Sequence, residues 1–217
     1  MMPDTIDIRN ATKVIDKRTV LDDVTLTLER GGIYGFTGIN GSGKTMFFRA
    51  VSGLIHLTSG SITVFGQRVG QDVDFPSKMG LSLEPIGFWE ECTGLENLLL
   101  LASIRRAVGE GEARESLCRV GLDPDDTRPF SAFSTGMRRR LSIAQAIMEK
   151  PELLILDEPT NGLDISGIRM VEDIVAKEHG RGCTVLLTCH NEPMLEALFE
   201  RHFPMSDGRL VDDGSNR

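Results

Sequence analysis

The chain has 217 residues, of which 40% are hydrophobic and 26% charged, and its formal net charge is −8. This length suits a single domain with a buried core, and an acidic chain is a poor default binder of nucleic acid or anionic lipid. The N-terminus lacks the basic start and apolar core of a signal peptide, and the longest apolar run, at 98–102, is far too short to span a bilayer. The four cysteines show no close metal-type pairing, which favours reduced thiols in the cytosol. We therefore expect that any contact with a membrane is made through a partner.

The first third of the chain predicts short strands around one helix. Residues 5–16 and 19–32 alternate roughly between apolar and polar side chains and predict two strands that end in a glycine turn. A short apolar strand at 32–38 runs directly into a glycine-rich loop. The segment GSITVFGQRV, at 60–69, predicts an edge strand. Between them, KTMFFRAVSGL has helical spacing, and its apolar side consists of Met46, Phe47, Ala50, Val51 and Leu54.

The centre of the chain has helical patterning, and strand patterning then returns. Segments 94–108, 110–122 and 135–150 carry charges on one face and apolar residues on the other. The segments ELLILDEP and CTVLLTCHN predict two strands, with a helix that ends at glycine between them. Continuous apolar strands separated by helices predict an α/β fold with a parallel sheet covered on both faces. The helices at about 85–150 predict an insert in a single domain whose core consists of about 1–84 and 151–217.

A glycine-rich loop, GINGSGKT, fits the pattern G-x-x-x-x-G-K-[ST] between a predicted strand and a predicted helix. Glycines let backbone N–H groups converge on phosphate oxygens, and the N-terminus of the next helix adds positive potential. Lys44 would reach the β- and γ-phosphates of a nucleotide, and Thr45 would give its hydroxyl to Mg²⁺. The alternative is a glycine turn that matches by chance. The candidate nucleotide-binding residues are Gly38, Ile39, Asn40, Gly41, Ser42, Gly43, Lys44, Thr45 and Met46.

Two carboxylates follow the predicted apolar strand at 153–156. Asp157 and Glu158 stand at the C-terminal end of this strand, where open parallel sheets bind their ligands. Asp157 would hold Mg²⁺, directly or through water. Glu158 would polarise the water that attacks the γ-phosphorus, which makes it a candidate catalytic residue beside Lys44. An acidic turn without a function is the alternative, but the glycine loop upstream favours the functional interpretation.

The segment FSTGMRRRLSIAQAI resembles the signature segment of the ABC-type ATPases, which is usually written LSGGQ. Ser134 and Gly136 match that segment, whereas Phe133, Thr135 and Met137 depart from it. The resemblance implies that Ser134, Thr135, Gly136 and Met137 contact the nucleotide of a second subunit from a helix N-terminus. Ser134 or Thr135 could also simply cap the helix that follows, and both interpretations can hold together.

The resemblance covers nearly the whole chain. It implies a P-loop NTPase (RecA-like) core with an N-terminal antiparallel β subdomain and an inserted α-helical subdomain. The segment TNGLD, which ends at Asp164, resembles the D-loop that contacts the other subunit, and His190 stands where the family keeps a histidine that contacts the γ-phosphate. Glu84 fills the Q-loop position, which usually carries glutamine; a carboxylate can reach Mg²⁺, but it adds negative charge near the phosphates. A plain surface loop for Glu84 and a structural role for His190 are the alternatives.

Three other features bear on partners and ligands. The family usually stacks adenine on an aromatic residue at the position of Ile15, so we expect weaker adenine affinity or looser base choice. Arg138, Arg139 and Arg140 form a basic run, which in an acidic chain favours a solvated helix face or a subunit contact over nucleic acid. Trp89 lies on the loop that leads into the helical insert, where it either packs locally or meets a coupling helix of a membrane subunit.

The resemblance also implies a function. The chain would bind and hydrolyse ATP with Mg²⁺, dimerise head to tail with an identical or different ATPase subunit, and power a separate transmembrane permease from the cytoplasmic face of the membrane. Glu84 at the Q-loop position is similar to the ATPases of drug and antimicrobial-peptide exporters. A non-transport member of the superfamily, such as a cluster-assembly ATPase, is the alternative. A kinase or a GTPase conflicts with the signature, the D-loop and the histidine together.

Overall fold

The computed structural model describes residues 5–84, 87–189 and 193–211, which form two β-sheets and a layer of helices. In chain order the strands are β1 (Thr5–Ile15), β2 (Arg18–Glu29), β3 (Ile33–Thr37), β4 (Ser59–Val64), β5 (Gln67–Arg68), β6 (Met79–Ser82), β7 (Leu153–Leu156), β8 (Thr184–Thr188), β9 (Arg201–Ser206) and β10 (Arg209–Leu210). The helices are α1 (Lys44–Val51), α2 (Gly94–Arg105), α3 (Glu110–Arg119), α4 (Thr135–Met148), α5 (Ile165–Gly180) and α6 (Pro193–Glu196), with a 3₁₀ turn at Phe130–Ala132.

The central sheet has six strands in the order β10-β9-β3-β8-β7-β6. Strands β9, β3, β8, β7 and β6 run parallel to one another, and β10 pairs antiparallel with β9. Every residue of β7 and β8 is buried, as expected for continuous apolar strands in the middle of a parallel sheet. The predicted α/β fold is confirmed.

Side chains alternate across the central sheet and supply two separate hydrophobic cores. Leu154 and Leu156 point into a core that also contains residues of α2 to α5. Leu153 and Ile155 point to the other face, where they meet α1 and the antiparallel strands β1, β2 and β4. The expectation that both faces of the sheet are covered is therefore correct.

The second sheet is antiparallel, with the strand order β2-β1-β4-β5. Asp16 and Lys17, both with positive φ, form the two-residue turn between β1 and β2. The segment 60–69, predicted as one edge strand, forms most of β4 and the short edge strand β5, because the chain reverses at Phe65 and Gly66. A local apolar pattern does not reveal that the segment folds back on itself.

Helix α1 is shorter than its sequence pattern predicts. It ends at Val51, and Gly53, with φ +84°, turns the chain away from the helix. Leu54 therefore lies outside the helix and is largely exposed, while Phe48 is buried in the core in its place.

Helices α2, α3 and α4 lie between β6 and β7 in the chain, although these two strands are neighbours in the sheet. Helix α2 begins with a capping box in which Thr93 and Glu96 each accept a hydrogen bond from the other's backbone N–H. The fully buried Glu178 of α5 accepts a hydrogen bond of 2.6 Å from Arg119 of α3. This ion pair fixes the helical layer against the helix that covers the central sheet.

The interpretation of the basic run as a solvated helix face is wrong for Arg139. Its side chain is 2% exposed and pairs with Glu84. Arg138 lies over the ring of Phe130, with its guanidinium carbon 4.4 Å from the ring centroid. Three arginines in a row on a helix point in different directions, so only part of the run can face solvent.

No helix in the described parts of the chain is long and apolar enough to cross a membrane. Cys92, Cys118 and Cys183 carry free thiols.

Gly80 of β6 determines how closely helix α4 approaches the central sheet. A Cβ atom at this position would lie 1.9 Å from the backbone oxygen of Ala146. Gly80→Ala should therefore lower the free energy of unfolding by about 1–3 kcal/mol through overpacking. Thermal and denaturant unfolding measure the change. Gly180→Ala is the matched control, because a Cβ there meets nothing within 4 Å; equal stability of the Gly80 variant and the wild type would contradict this packing.

Candidate nucleotide-binding site

The glycine-rich loop connects β3 to α1 and has a backbone that requires glycine at two positions. Gly38 has φ +146°, and a Cβ there would lie 2.3 Å from the backbone oxygen of Met205. Gly43 has φ +106° and is the N-cap of α1, where no side chain caps the helix. The free N–H groups of the first turn of α1 thus remain available to a ligand, as phosphate binding at a helix N-terminus requires.

The turn between β9 and β10 is hydrogen-bonded to this loop. The Gly208 N–H donates to the Ser42 carbonyl at 2.9 Å, and the Gly208 carbonyl accepts from the Asp22 N–H at 2.9 Å. A Cβ at Gly43 would lie 3.0 Å from the Cα of Gly208. Sequence reasoning missed this contact, although the Asp207-Gly208 dipeptide is a hairpin signal that identifies the turn itself.

Lys44 is the first residue of α1, and its side chain is held inside the loop. Its Nζ donates to the carbonyls of Gly38 at 2.6 Å and Ile39 at 3.1 Å. Burial lowers the pKa of the Lys44 ammonium, and the nearby carboxylates of Glu158 and Asp157 partly offset that effect. A partly desolvated cation fixed at a helix N-terminus is suited to attract a phosphate group.

Thr45 and Asp157 lie in direct contact. The Thr45 hydroxyl donates to Asp157 Oδ2 at 2.6 Å, and the Thr188 hydroxyl donates to Asp157 Oδ1 at 2.8 Å. A hydroxyl and a carboxylate oxygen side by side fit Mg²⁺, which takes a few protein oxygens and completes its shell with phosphate and water. Among the described residues there is no group of three or more His, Cys, Asp or Glu that could hold a metal ion alone.

Glu158 has a left-handed backbone, with φ +47°, directly after strand β7. Its N–H donates to the Thr188 hydroxyl at 2.6 Å, and its Oε2 accepts from the side-chain amide of Asn161. An unusual backbone conformation held by two neighbours is typical of a residue whose side chain must point in a fixed direction. Sequence reasoning missed Thr188 and Asn161, because neither carries a charge and both act through hydrogen bonds to Asp157 or Glu158.

A cavity of about 770 Å³ brings most of the predicted residues together. Its wall includes loop residues from Asn40 to Met46, together with Glu84, Asp157, Glu158 and Ile15. Gly38 is not part of the wall, and Ile39 points outward with its side chain 77% exposed. The cavity is large enough for a nucleotide. The residues on its wall that sequence reasoning missed are Asp16, Arg18, Thr19, Val20, Asp207 and Gly208.

The predicted signature residues lie on a different surface. Ser134 caps α4 by accepting from the Met137 N–H at 3.2 Å, as the capping interpretation expects. A separate, open depression is lined by Ser134, Thr135, Gly136, Met137, Arg140, Gly162, Leu163 and Asp164. None of these residues lines the nucleotide cavity. The predicted signature and D-loop therefore meet each other, and not the glycine loop of the same chain.

Asp164 is the N-cap of α5. It accepts from the Gly167 N–H at 2.9 Å and from the Ser166 hydroxyl, and these hydrogen bonds lower the pKa of its carboxyl. Arg140 of α4 lies 3.8 Å from the same carboxylate. This contact joins the signature helix to the D-loop.

The predicted site residue Glu84 takes part in two polar contacts. The carboxylate of Glu84 pairs with Arg139, and the Glu84 carbonyl accepts from Arg49 at 3.0 Å. His190 lies outside the described residues. The metal role of Glu84 and the phosphate role of His190 stay predictions.

A phosphate-binding loop between a strand and a helix, with a lysine, a threonine and two strand-end carboxylates, defines a P-loop nucleotide-binding protein. The family model described as ABC transporter matches residues 21–161, which include the glycine loop, the signature and both carboxylates. The chain belongs to the ABC transporter family.

Curated relatives agree with this assignment. YybJ of Bacillus subtilis (strain 168), an uncharacterized ABC transporter ATP-binding protein, is 43% identical over 94% of each chain. BcrA of Enterococcus faecalis, a bacitracin transport ATP-binding protein, is 37% identical over 96% of this chain and 68% of its own length. SrtF of Streptococcus pyogenes, a lantibiotic transport ATP-binding protein, is 35% identical over 95% of this chain and 89% of its own.

Solved structures establish the fold. The dimeric structure of MJ0796, a bacterial ABC transporter cassette, matches with a TM-score of 0.85 and 22% identity over 94% of this chain and 96% of that chain. A post-hydrolysis state of the same cassette, bound to ADP and Pi, matches with a TM-score of 0.82 at 20% identity, over 94% of this chain and 96% of that chain. With the family model and the curated relatives, the chain is an ATP-binding subunit of the family and an ATPase.

Proposed function

We propose that this chain binds ATP and Mg²⁺ in the cavity of the glycine loop, dimerises head to tail with a second ATPase subunit, and powers a separate membrane permease that exports a drug or a peptide. The observation that carries the proposal is the separation of the two surfaces. The nucleotide cavity and the signature depression share no residue, so the signature of one chain can only complete the site of another.

The chemistry of hydrolysis is assigned to residues of the cavity. Lys44 attracts the β- and γ-phosphates, while Thr45 and Asp157 hold Mg²⁺, which neutralises phosphate charge when bound. Glu158 polarises the attacking water, and the amide of Asn161 holds its carboxylate in place. His190 contacts the γ-phosphate in this proposal. The protein's contribution is positioning and electrostatics, as in other phosphoryl transfers.

The dimer supplies the mechanical step. A γ-phosphate held between the glycine loop of one subunit and the α4 N-terminus of the other favours the closed dimer. Hydrolysis removes this link and lets the dimer reopen. A ligand shifts a conformational equilibrium only through different affinity for the two states, and the γ-phosphate has that property here.

The relatives' names support a transporter role for this chain. Two of them are named for the transport of bacitracin and of a lantibiotic. We place the chain at the cytoplasmic face of the membrane, bound through its permease. Trp89, with its side chain 48% exposed beside the helical segment, is the candidate contact.

The dimer can be tested with Glu158→Gln. This change removes the base but keeps the shape of the side chain, so ATP hydrolysis should fall by at least about 100-fold, and the protein should run as a dimer with Mg²⁺ and ATP in light scattering. Glu115→Gln, an exposed position on α3, should hydrolyse ATP like the wild type. A Glu158→Gln variant that stays monomeric with ATP and turns over at the wild-type rate would contradict the proposal.

The permease can be tested by purification from membranes. A tagged full-length chain, extracted from its own host in a mild detergent, should carry with it a protein with several hydrophobic spans. Trp89→Ala should reduce recovery of that protein, whereas Phe75→Ala, an exposed aromatic far from the helical segment in the chain, should not. Recovery of a cluster-scaffold protein in place of a membrane protein would favour the non-transport alternative and overturn the transport assignment.

Ile15 provides the wall of the cavity where an aromatic residue would stack on the base. Ile15→Tyr should tighten ATP binding about tenfold, because an aromatic platform adds stacking energy. Val14→Tyr is the matched control: Val14 is similarly exposed but does not line the cavity. Titrations with ATP and GTP measure both effects, and a strong preference of the wild type for ATP over GTP would count against a weakened base site.

A further inference from the structure

Arg139 is a buried cation in the middle of α4. Its side chain is 2% exposed, and its Nη2 donates to the carboxylate of Glu84. Its Nε and Nη1 atoms are buried without a hydrogen-bond partner among the described residues. Burying a guanidinium without its full set of hydrogen bonds costs free energy, and the ion pair with Glu84 offsets part of this cost.

Glu84 is bound to Arg139 on one side and faces the nucleotide cavity on the other. Its side chain is 60% exposed, and it lines the cavity beside Lys44 and Thr45. Arg49 of α1 fixes its backbone carbonyl at 3.0 Å. The carboxylate is therefore held at the cavity wall by residues of α1 and α4.

The nucleotide cavity is lined by more acidic than basic side chains, and the contact between Glu84 and Arg139 reduces this excess of negative charge. Five carboxylates line the cavity, against the two cationic side chains of Arg18 and Lys44. A nucleoside polyphosphate is itself a polyanion, so each uncompensated carboxylate on the wall repels it. One of these carboxylates, Glu84, is paired with a buried arginine that lies outside the wall.

We propose that Arg139 is a positioning residue that neutralises Glu84, so that the two side chains together present an uncharged wall to the phosphates of a nucleoside polyphosphate. Glutamine, which is the usual residue of the family at the position of Glu84, presents an uncharged side chain without an arginine partner. The inference rests on the proposed function, because it requires the phosphates to lie in this cavity. In this proposal Glu84 and Arg139 act as a pair, and loss of the arginine leaves the carboxylate of Glu84 free to repel the phosphates.

The test is an equilibrium titration with ATP in EDTA at low ionic strength, which excludes Mg²⁺ and prevents hydrolysis. Arg139→Gln should weaken ATP binding about tenfold, because the repulsion from Glu84 is then uncompensated and weakly screened. Arg139→Lys keeps the charge and should stay within about threefold of the wild type. The double variant E84Q/R139Q should also return to within about threefold, because both charges are then absent.

Arg138→Gln is the control on the same helix, because Arg138 lies over Phe130 and does not line the cavity. It should leave ATP affinity unchanged. If Arg139→Gln does not fold, the other variants still decide: Glu84→Gln should bind ATP more tightly than the wild type, and E84Q/R139Q should lose that gain. A purely structural role for Arg139 would lower the melting temperature of both Arg139→Gln variants, without recovery of affinity in the double variant.

The titrations distinguish failure of this inference from failure of the proposed nucleotide site. If the wild type binds ATP and Lys44→Met does not, but Arg139→Gln binds like the wild type, charge compensation by Arg139 is overturned and the site stands. If Glu84→Gln fails to rescue Arg139→Gln, the inference is likewise overturned. If Lys44→Met binds ATP as tightly as the wild type, the phosphates lie elsewhere, and both proposals fall.

Discussion

The hydroxyl of Thr188 is hydrogen-bonded to both acidic residues that follow β7, and the arrangement of the candidate site depends on these two bonds. The hydroxyl donates to Asp157 and accepts from the N–H of Glu158, and the Thr188 side chain is itself fully buried. This is possible because β7 and β8 run parallel with Leu156 opposite Leu187, which puts the ends of both strands side by side. The register of two apolar strands thus sets the position of Asp157, and through it the contact with Thr45 of the glycine loop.

An acidic chain can bind a polyanion only where local positive potential outweighs its net charge. The glycine loop provides this potential with uncapped N–H groups and with Lys44, whose burial lowers the pKa of its ammonium yet leaves it in contact with backbone carbonyls. The carboxylates of the cavity work against it. Asp157 is fully hydrogen-bonded on both oxygens, and Glu84 is paired with a buried arginine. Whether the site can bind a polyanion therefore depends on the charges close to it, and the net charge of the chain does not predict this.

The sequence predicted those parts of the fold and site that depend on local pattern. The glycine loop, the strand with its carboxylates, and the central helices each lie within a short continuous segment, so spacing and residue type were enough. Thr188 contacts Asp157 and Glu158, and Gly208 contacts Ser42, only because segments that are distant in the chain meet, so no local pattern reveals these contacts. Arg139 was assigned to a solvated helix face or a subunit contact for the same reason, because its burial follows from the way α4 packs on the end of β6.

Helix α4 links the nucleotide cavity to the signature depression, the two surfaces that the proposed function requires. Its N-terminus carries the signature residues from Ser134, and one turn later Arg139 reaches Glu84 at the nucleotide cavity of the same chain. The helix is also fixed to the central sheet, because the Ser142 hydroxyl lies 2.7 Å from that of Ser82 at the end of β6. In the proposed dimer this helix would therefore contribute to both nucleotide sites, to that of its own chain through the Arg139–Glu84 pair and to that of the partner through the signature residues.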